Sequence, residues 1–495
     1  MALTDKTKPT DVACNTDLYE LTMAQGYWES GMEDVRGCFN VFFRENPFGG
    51  GYAVACGMGQ VADLVENFSF DDEAIAYLAS IQAPGGGAMF KRGFLDYLAE
   101  FSMRVSVWTA PEGEVVFPRE PIVRVEGPTI DCQLIETALL NLVNFQTLVA
   151  TKCARVVQAA EGHPVSDFGL RRAQGPDGGL AVARASYVGG ASSTSNVLAG
   201  KTYGIPVFGT HAHSWVMSFP TELDAFRAFA ASSPKNCVLL LDTYDVHQGI
   251  RNAITVGKEM EARGERLSAV RIDSGDLARL SKEARAAFDE AGLEYVRISA
   301  SNDLDEYTIQ SLFAQGAPID SFGVGTKLAT CDPQPSLGGV YKLSAIEGDR
   351  GAWRPVLKIS EMAYKRTIPG VQHVRRFYDA MGCPVGDQIV DDAYAMGERN
   401  VIVDVLDSLT TYDMGTAEAR ELLQPVVDGG VRVREPEGIE AARERCRESL
   451  MHLDPAVKRF LNPQMYPVGL EPGLARLRHD LTRAEKRGSA SRPKS

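Results

Sequence analysis

Apolar positions follow two rhythms along this chain. From His163 onward, short apolar runs alternate with stretches whose apolar residues recur every three or four positions. The runs at 164–168, 205–208, 238–241, 269–272, 295–298 and 321–324 predict strands. Between them, 276–291 places Leu277, Leu280, Ala284, Ala287, Phe288 and Ala291 on one helical face. A second helix is expected at 303–315, capped by Ser301, Asn302 or Asp303 and stopped at Gly316. Strands alternating with helices imply a parallel sheet, closed or open, because a helix is the usual crossover between parallel strands.

The flanking regions read differently. Thr16 or Asp17 can cap a first helix toward Trp28, with Tyr19 projecting from its first turn. Residues 39–43 read as a strand that ends in a loop rich in breakers, with glycines at 49, 50 and 51. From 104 to 127 the alternation is of β type, broken by Pro111, Gly113, Pro118 and Pro121. A long helix is expected at 136–161. After Thr326 β character returns at 340–346, 355–359, 375–378 and 401–405, followed by a helix at 436–451. This divides the chain into an α+β domain of 1–127 rejoined by 340–436, an α/β domain of 128–339, a C-terminal helical segment of 437–484, and a tail. The tail, 485–495, is mostly Lys, Arg, Ser and Pro and is expected to be disordered.

Composition narrows the setting. The 495 residues are 44% hydrophobic and carry a net charge of −14, enough chain for two full cores. An acidic surface repels nucleic acid and anionic membrane, so any phosphate site must be local. No apolar run reaches membrane-spanning length, and residues 1–9 have no apolar signal core. Nine scattered cysteines with no Cys-x-x-Cys pair fit thiols in a reducing cytoplasm.

The loops that follow the strands are polar, whereas the loops that precede them are short and plain. They contain Arg171 and Arg172; His211 and His213, in the run Gly209–Phe219 where a strand hands over to a helix; Asp242; Asp273 and Asp276; Ser301; and Gly325, Thr326 and Lys327. In a parallel barrel all such loops share one rim, and that rim is the active face. Helix capping accounts for Asp276 and Asp303 but not for Arg171, Arg172, His213 or Thr326. Arginines with small hydroxyl and glycine loops suit phosphate, and Asp242, Asp273 or Asp276 could hold Mg²⁺. A structural ion pair of Arg271 with Asp273 or Asp276 is an equally open reading, and for each aspartate capping competes with metal binding. Ala199-Gly200-Lys201-Thr202 imitates the end of a P-loop, but Ser195 stands where its first glycine belongs and the segment precedes a strand.

Five motifs in order carry a resemblance. They are Thr16-Asp17-x-Tyr19, Arg171-Arg172-Ala173-Gln174-Gly175-Pro176-Asp177-Gly178-Gly179, Gly209-Thr210-x-Ala212-His213-Ser214, Arg271-Ile272-Asp273-Ser274-Gly275-Asp276 and Gly323-Val324-Gly325-Thr326. Together they resemble the nicotinate phosphoribosyltransferase family. The resemblance implies an irregular parallel α/β barrel with a discontinuous, open sandwich-like α+β domain. It implies transfer of phosphoribose from phosphoribosyl pyrophosphate to nicotinate, for NAD salvage in the cytoplasm. ATP as co-substrate, Mg²⁺ and a homodimer are part of the same implication. His213 would be the residue phosphorylated by ATP. Tyr19, Thr210 and Arg271 would bind nicotinate, with Tyr19 stacking on the ring, from the partner subunit in one reading. Arg171, Gly325 and Thr326 would bind phosphoribosyl pyrophosphate, and Asp273 the metal. His211 lies outside the matched positions and receives no role. The rival readings are nicotinamide phosphoribosyltransferase and a non-catalytic binding protein on the same fold.

Overall fold

The computed structural model describes residues 12–348, 351–359, 366–392 and 400–490. The expectation for 1–9 and the last five residues of the tail lie outside them. The chain forms two compact units, Val149–Pro335 and Met1–Leu148 with Ser336–Ser495.

The unit Val149–Pro335 is an irregular parallel α/β barrel. Six strands, Val165–Asp167, Ser193–Thr194, Val238–Leu240, Ala269–Ile272, Arg297–Ala300 and Ser321–Val324, form one sheet, all pairs parallel. Val238–Leu240 and Ser193–Thr194 stand at its two edges. The predicted run at 205–208 is not a full strand. Val207 forms a single parallel bridge to Thr194. Backbone bonds from Thr194 N–H to the Pro206 carbonyl (3.0 Å) and from Phe208 N–H to the Thr194 carbonyl (3.0 Å) hold it. A few residues later the His211 ring reaches the opposite edge, where its Nε2 accepts the Leu240 N–H at 3.2 Å. The stretch from Pro206 to His211 therefore spans the gap between the edges, with a side chain taking the place of a backbone ladder.

Val238, Leu239, Leu240, Val270, Ile272, Ile298, Phe322 and Val324 are buried, as parallel strands covered on both faces require. The helix Leu277–Glu290 buries Leu277, Leu280, Ala284 and Phe288, and Asp276 caps it by accepting the Arg279 N–H. Two expectations need correction. The strand expected at 295–298 is Arg297–Ala300, because pairing with Ala269–Ile272 sets its register. The helix expected at 303–315 is Glu306–Ala314, capped by Asp305. Asn302 has φ +112°, a left-handed value that no helix start can contain. The P-loop look-alike lies in the helix Val197–Tyr203, which ends at left-handed Gly204.

The other unit holds two large sheets. One is antiparallel and seven-stranded, with Arg36–Phe43 between Gly339–Glu347 and Val123–Pro128. The chain returning from the barrel thus pairs directly with the N-terminal strand. Trp353–Pro355 at its edge replaces the longer strand expected at 355–359, since Pro355 offers no N–H to extend the ladder. This unit reaches past the boundary expected at 127. The helix Thr129–Leu134 is wholly buried, and the Cys132 carbonyl accepts the Tyr341 hydroxyl at 2.8 Å. It also takes in 437–484, expected as a separate segment. There Val468–Leu470 pairs with Pro384–Asp391 and Val401–Asp404 inside the second sheet. The helix Pro472–Ala490 continues into the tail expected to be disordered. Of the glycine triplet, Gly51 packs where an added Cβ would lie 2.2 Å from the Val457 carbonyl, so it is there for close approach.

Candidate active site

The rim is laced together by side chains from successive post-strand loops. His213 opens the short helix His213–Met217. Its Nδ1 lies 3.1 Å from the Thr243 hydroxyl, and its Nε2 lies 3.9 Å from Asp273 Oδ2. Asp273 Oδ1 accepts a short bond from the Ser301 hydroxyl. Asp242 Oδ2 accepts the Asp273 N–H (2.9 Å) and the Ser274 hydroxyl (2.6 Å). Its other oxygen is buried without a partner. Four loops, from residues 213, 242–243, 273–274 and 301, are thereby fixed around one exposed imidazole edge; the His213 side chain is 41% exposed.

Beside this chain stands Arg271, on the strand Ala269–Ile272 next to the edge strand Val238–Leu240. No carboxylate lies within ion-pair distance of it among the described residues, so the structural pair with Asp273 or Asp276 does not form. Nη2 donates to the His211 carbonyl at 3.2 Å, and Nε is buried with no partner. Burial pushes its pKa below the ordinary arginine value, and the nearby charge of Arg171 adds to this; Asp273 and Asp242 oppose it. The Thr210 hydroxyl donates to the same His211 carbonyl, at 3.2 Å. One backbone oxygen therefore gathers Thr210 and Arg271.

His211 itself is buried against Phe229, with ring centroids 4.7 Å apart. Since Nε2 accepts from an amide, the ring proton sits on Nδ1, which faces the Ala212 carbonyl at 3.3 Å. Burial pushes its pKa down to about 4, so the ring is neutral at physiological pH. The two histidines of one motif thus divide into a buried neutral ring and an exposed one.

Arg171 and Arg172 lie in the turn Leu170–Arg172, exposed and with no ion pair among the described residues. That turn is anchored by buried Asp167, whose carboxylate accepts the Gly169 N–H (2.8 Å) and the Thr194 hydroxyl (2.8 Å). Gly323 packs closely against Phe168, where an added Cβ would meet the Cδ2–Cε2 edge of the ring at 2.5 Å. Gly325 and Thr326 follow at the start of Thr326–Ala329, and Lys327 is tied to Asp305 at 2.6 Å. Tyr19 belongs to the other unit. It lies in the first turn of Leu18–Glu29 and is 47% exposed. No group of three His, Cys, Asp or Glu side chains able to hold a metal occurs among the described residues.

Thr243, Asp167 and His211 are rim residues that the motifs did not single out. Their partners lie about thirty residues away in sequence, across loops. Only the polar composition of the post-strand loops hinted at them.

Comparison with known proteins identifies the family. Residues 14–144 match the nicotinate phosphoribosyltransferase N-terminal domain, 164–374 the nicotinate phosphoribosyltransferase family and 371–478 its C-terminal domain. A Bacillus subtilis nicotinate phosphoribosyltransferase is 41% identical over 469 residues, covering 94% of each chain. The human protein of that name is 34% identical over 523 residues, covering 94% of this chain and 96% of the relative. The crystal structure of human nicotinic acid phosphoribosyltransferase superposes with a TM-score of 0.82 at 32% identity, covering 94% of this chain and 99% of that one. A Pyrococcus furiosus nicotinate-nucleotide pyrophosphorylase shares the fold, with a TM-score of 0.70 at 22% identity, covering 91% of this chain and 99% of that one. No helix among the described residues is long and apolar enough to cross a membrane. With relatives at this identity over almost its whole length, the chain belongs to the nicotinate phosphoribosyltransferase family.

Proposed function

We propose that this chain transfers phosphoribose from phosphoribosyl pyrophosphate to nicotinate, releasing pyrophosphate, and couples the transfer to ATP hydrolysis through phosphorylation of His213. The observation that carries the reading is Arg271, a largely desolvated guanidinium whose Nε is buried and unpartnered, beside the exposed His213. A buried cation without a counterion is costly, and a ligand carboxylate offsets that cost. This favours nicotinate over neutral nicotinamide. Thr210, held on the same carbonyl as Arg271, would line the nicotinate site.

Support for His213 as phosphoryl acceptor is the engagement of Nδ1 by Thr243, which leaves Nε2 at the open edge. In the proposed step the Nε2 lone pair attacks the γ-phosphorus. The bond to the bridging oxygen breaks, and its electron pair leaves on ADP. Arg171, Gly325 and Thr326 would hold phosphoribosyl pyrophosphate, and the Asp167 clamp would keep the Arg171 turn in place. The oxygen donors fit Mg²⁺, which binds through one or two carboxylates and takes its other ligands from water and phosphate. Asp273 and Asp242, with its orphan oxygen, would hold it, and the ion would neutralise the leaving pyrophosphate. A homodimer is part of the proposal, since Leu18, Tyr19 and Met23 expose apolar surface on one helix.

The test mixes nicotinate or nicotinamide with phosphoribosyl pyrophosphate and Mg²⁺, with and without ATP. Nicotinate mononucleotide should form fastest with ATP; a preference for nicotinamide would overturn the substrate assignment. Label from γ-labelled ATP should attach to the wild type and not to His213→Asn. Label on that variant would remove His213 as acceptor.

A further inference from the structure

Away from the barrel, within the unit that carries the two large sheets, three arginines from distant parts of the chain converge. Arg478 lies on the helix Pro472–Ala490, Arg366 just ahead of buried Ile368, and Arg119 in the turn between Val115–Val116 and Val123–Pro128. Arg366 and Arg478 line a cavity of about 140 Å³, together with Asp404, Ser408, His479 and Thr482. That is room for several waters or one tetrahedral oxyanion.

The cluster is electrostatically unbalanced. Burial pushes the Arg478 guanidinium down to about 10, and the charges of Arg366 and Arg119 push in the same direction. Among the described residues no carboxylate forms an ion pair with any of the three. Among the described residues the Arg478 side chain makes one hydrogen bond, from Nη1 to the Val405 carbonyl at 2.8 Å. Nε of Arg366 and Nε of Arg119 are both buried without partners. The nearest acids do not repair this. Asp404 and Glu45 act on Arg119 through space only. The Asp404 carboxylate also accepts the N–H groups of Leu406 (2.7 Å) and Asp407 (2.9 Å), which turns it toward its own loop.

Arg119 is also held at φ +74°. For a residue with a side chain that left-handed conformation is unfavourable, because Cβ crowds the following carbonyl oxygen. Its N–H is fixed on the Phe43 carbonyl at 2.7 Å. The fold thus keeps a strained cation next to two others.

We infer that this cavity is a second phosphate-class site, in which Arg366 and Arg478 grip a tetrahedral phosphoryl group and Arg119 supplies further positive field. Planar guanidinium forks suit such an oxyanion, and one dianion would relieve both the mutual repulsion and the unpartnered donors. The same chemistry comes from free inorganic phosphate or from the phosphoryl group of a nucleotide monophosphate.

The test is calorimetric titration of the full chain in chloride buffer with inorganic phosphate, and separately with AMP. The barrel provides a reference: Arg171→Ala should weaken phosphate binding there and leave the second site intact. Arg366→Gln should weaken the second site by about tenfold or more, because a charged donor is lost. Arg478→Gln should do the same and guards against a folding defect in the first variant. In phosphate-free buffer Arg366→Gln should unfold at the same temperature as wild type or higher, since it relieves repulsion. An AMP isotherm tighter than that of phosphate, and weakened by the same variants, assigns the site to nucleotides; a phosphate isotherm alone assigns it to the free ion. If the isotherms of both variants superimpose on wild type for both probes, the site does not exist.

Discussion

Two strand arginines, one in each unit, meet opposite fates: Arg376 is fully buried, and Arg271 is partly buried with its Nε shut away from solvent. Arg376, on Gln372–Tyr378, places Nε and Nη2 on the Asp387 carboxylate (3.0 and 2.7 Å) and Nη1 on Glu114 (2.9 Å). Its pKa is raised well above the ordinary value although burial alone would lower it; the carboxylates, Asp387 foremost, prevail. Arg271 has one carbonyl, no carboxylate partner and a lowered pKa. Equal chemistry therefore does not mean equal purpose. A cation whose donors are all engaged holds the fold, and a cation left short waits for a ligand.

The comparison breaks most readily at Arg376. Arg376→Ala should cost about 3–5 kcal/mol, because it leaves the Asp387 carboxylate buried without its cation. Denaturant unfolding measures this; a loss as small as that of Arg271→Ala would dissolve the contrast. Next in size is a pH effect at His211, whose carbonyl holds Arg271. Its folded pKa of about 4 lies below the ordinary value. The unfolded chain therefore takes up a proton near pH 6.5 that the folded chain refuses until about pH 4. Stability falls as pH drops through that window, by about 3 kcal/mol in all. The stability advantage of wild type over His211→Leu should shrink by that amount between pH 6.5 and 4, and a constant gap would refute a buried neutral ring.

Arg271→Ala should raise the nicotinate KM about 30- to 100-fold, roughly 2–3 kcal/mol, while leaving the phosphoribosyl pyrophosphate KM nearly unchanged. Its unfolding midpoint should hold or rise slightly, unlike that of Arg376→Ala. Equal effects on both substrates would mark a general defect. The smallest effect is expected from Thr243→Val, which keeps shape and removes the hydroxyl at His213 Nδ1. Phosphoenzyme formation should slow by about five- to tenfold, close to 1 kcal/mol. No change would free His213 from that partner.

Much of the barrel was legible in the sequence because its strands are buried on both faces and stand out as continuous apolar runs. Ala269–Ile272 and Ser321–Val324 fell where expected. The misses share a cause in tertiary pairing. Val296 is apolar and buried, yet register with Ala269 starts the strand one residue later. Asp303 has the right chemistry for a cap, but Asn302 turns left-handed and passes the role to Asp305. At the rim, residue types pointed to anion chemistry, and motif order pointed to His213 and Arg271. The pairing of His213 with Thr243 had no local signature. Neither did the convergence of Arg119, Arg366 and Arg478, which are separated by hundreds of residues.

The closure of the barrel through the His211 ring has an evolutionary consequence. Where two strands meet through a backbone ladder, almost no single substitution can remove the seam, because every residue type except proline brings the same amide and carbonyl. Here the bond to Leu240 depends on one imidazole. A single codon change at 211 can loosen or retighten the stave that leads into His213 without touching any residue that faces a substrate. Variation among relatives at this position would then be a record of how firmly each lineage holds the loop that carries the residue matching His213.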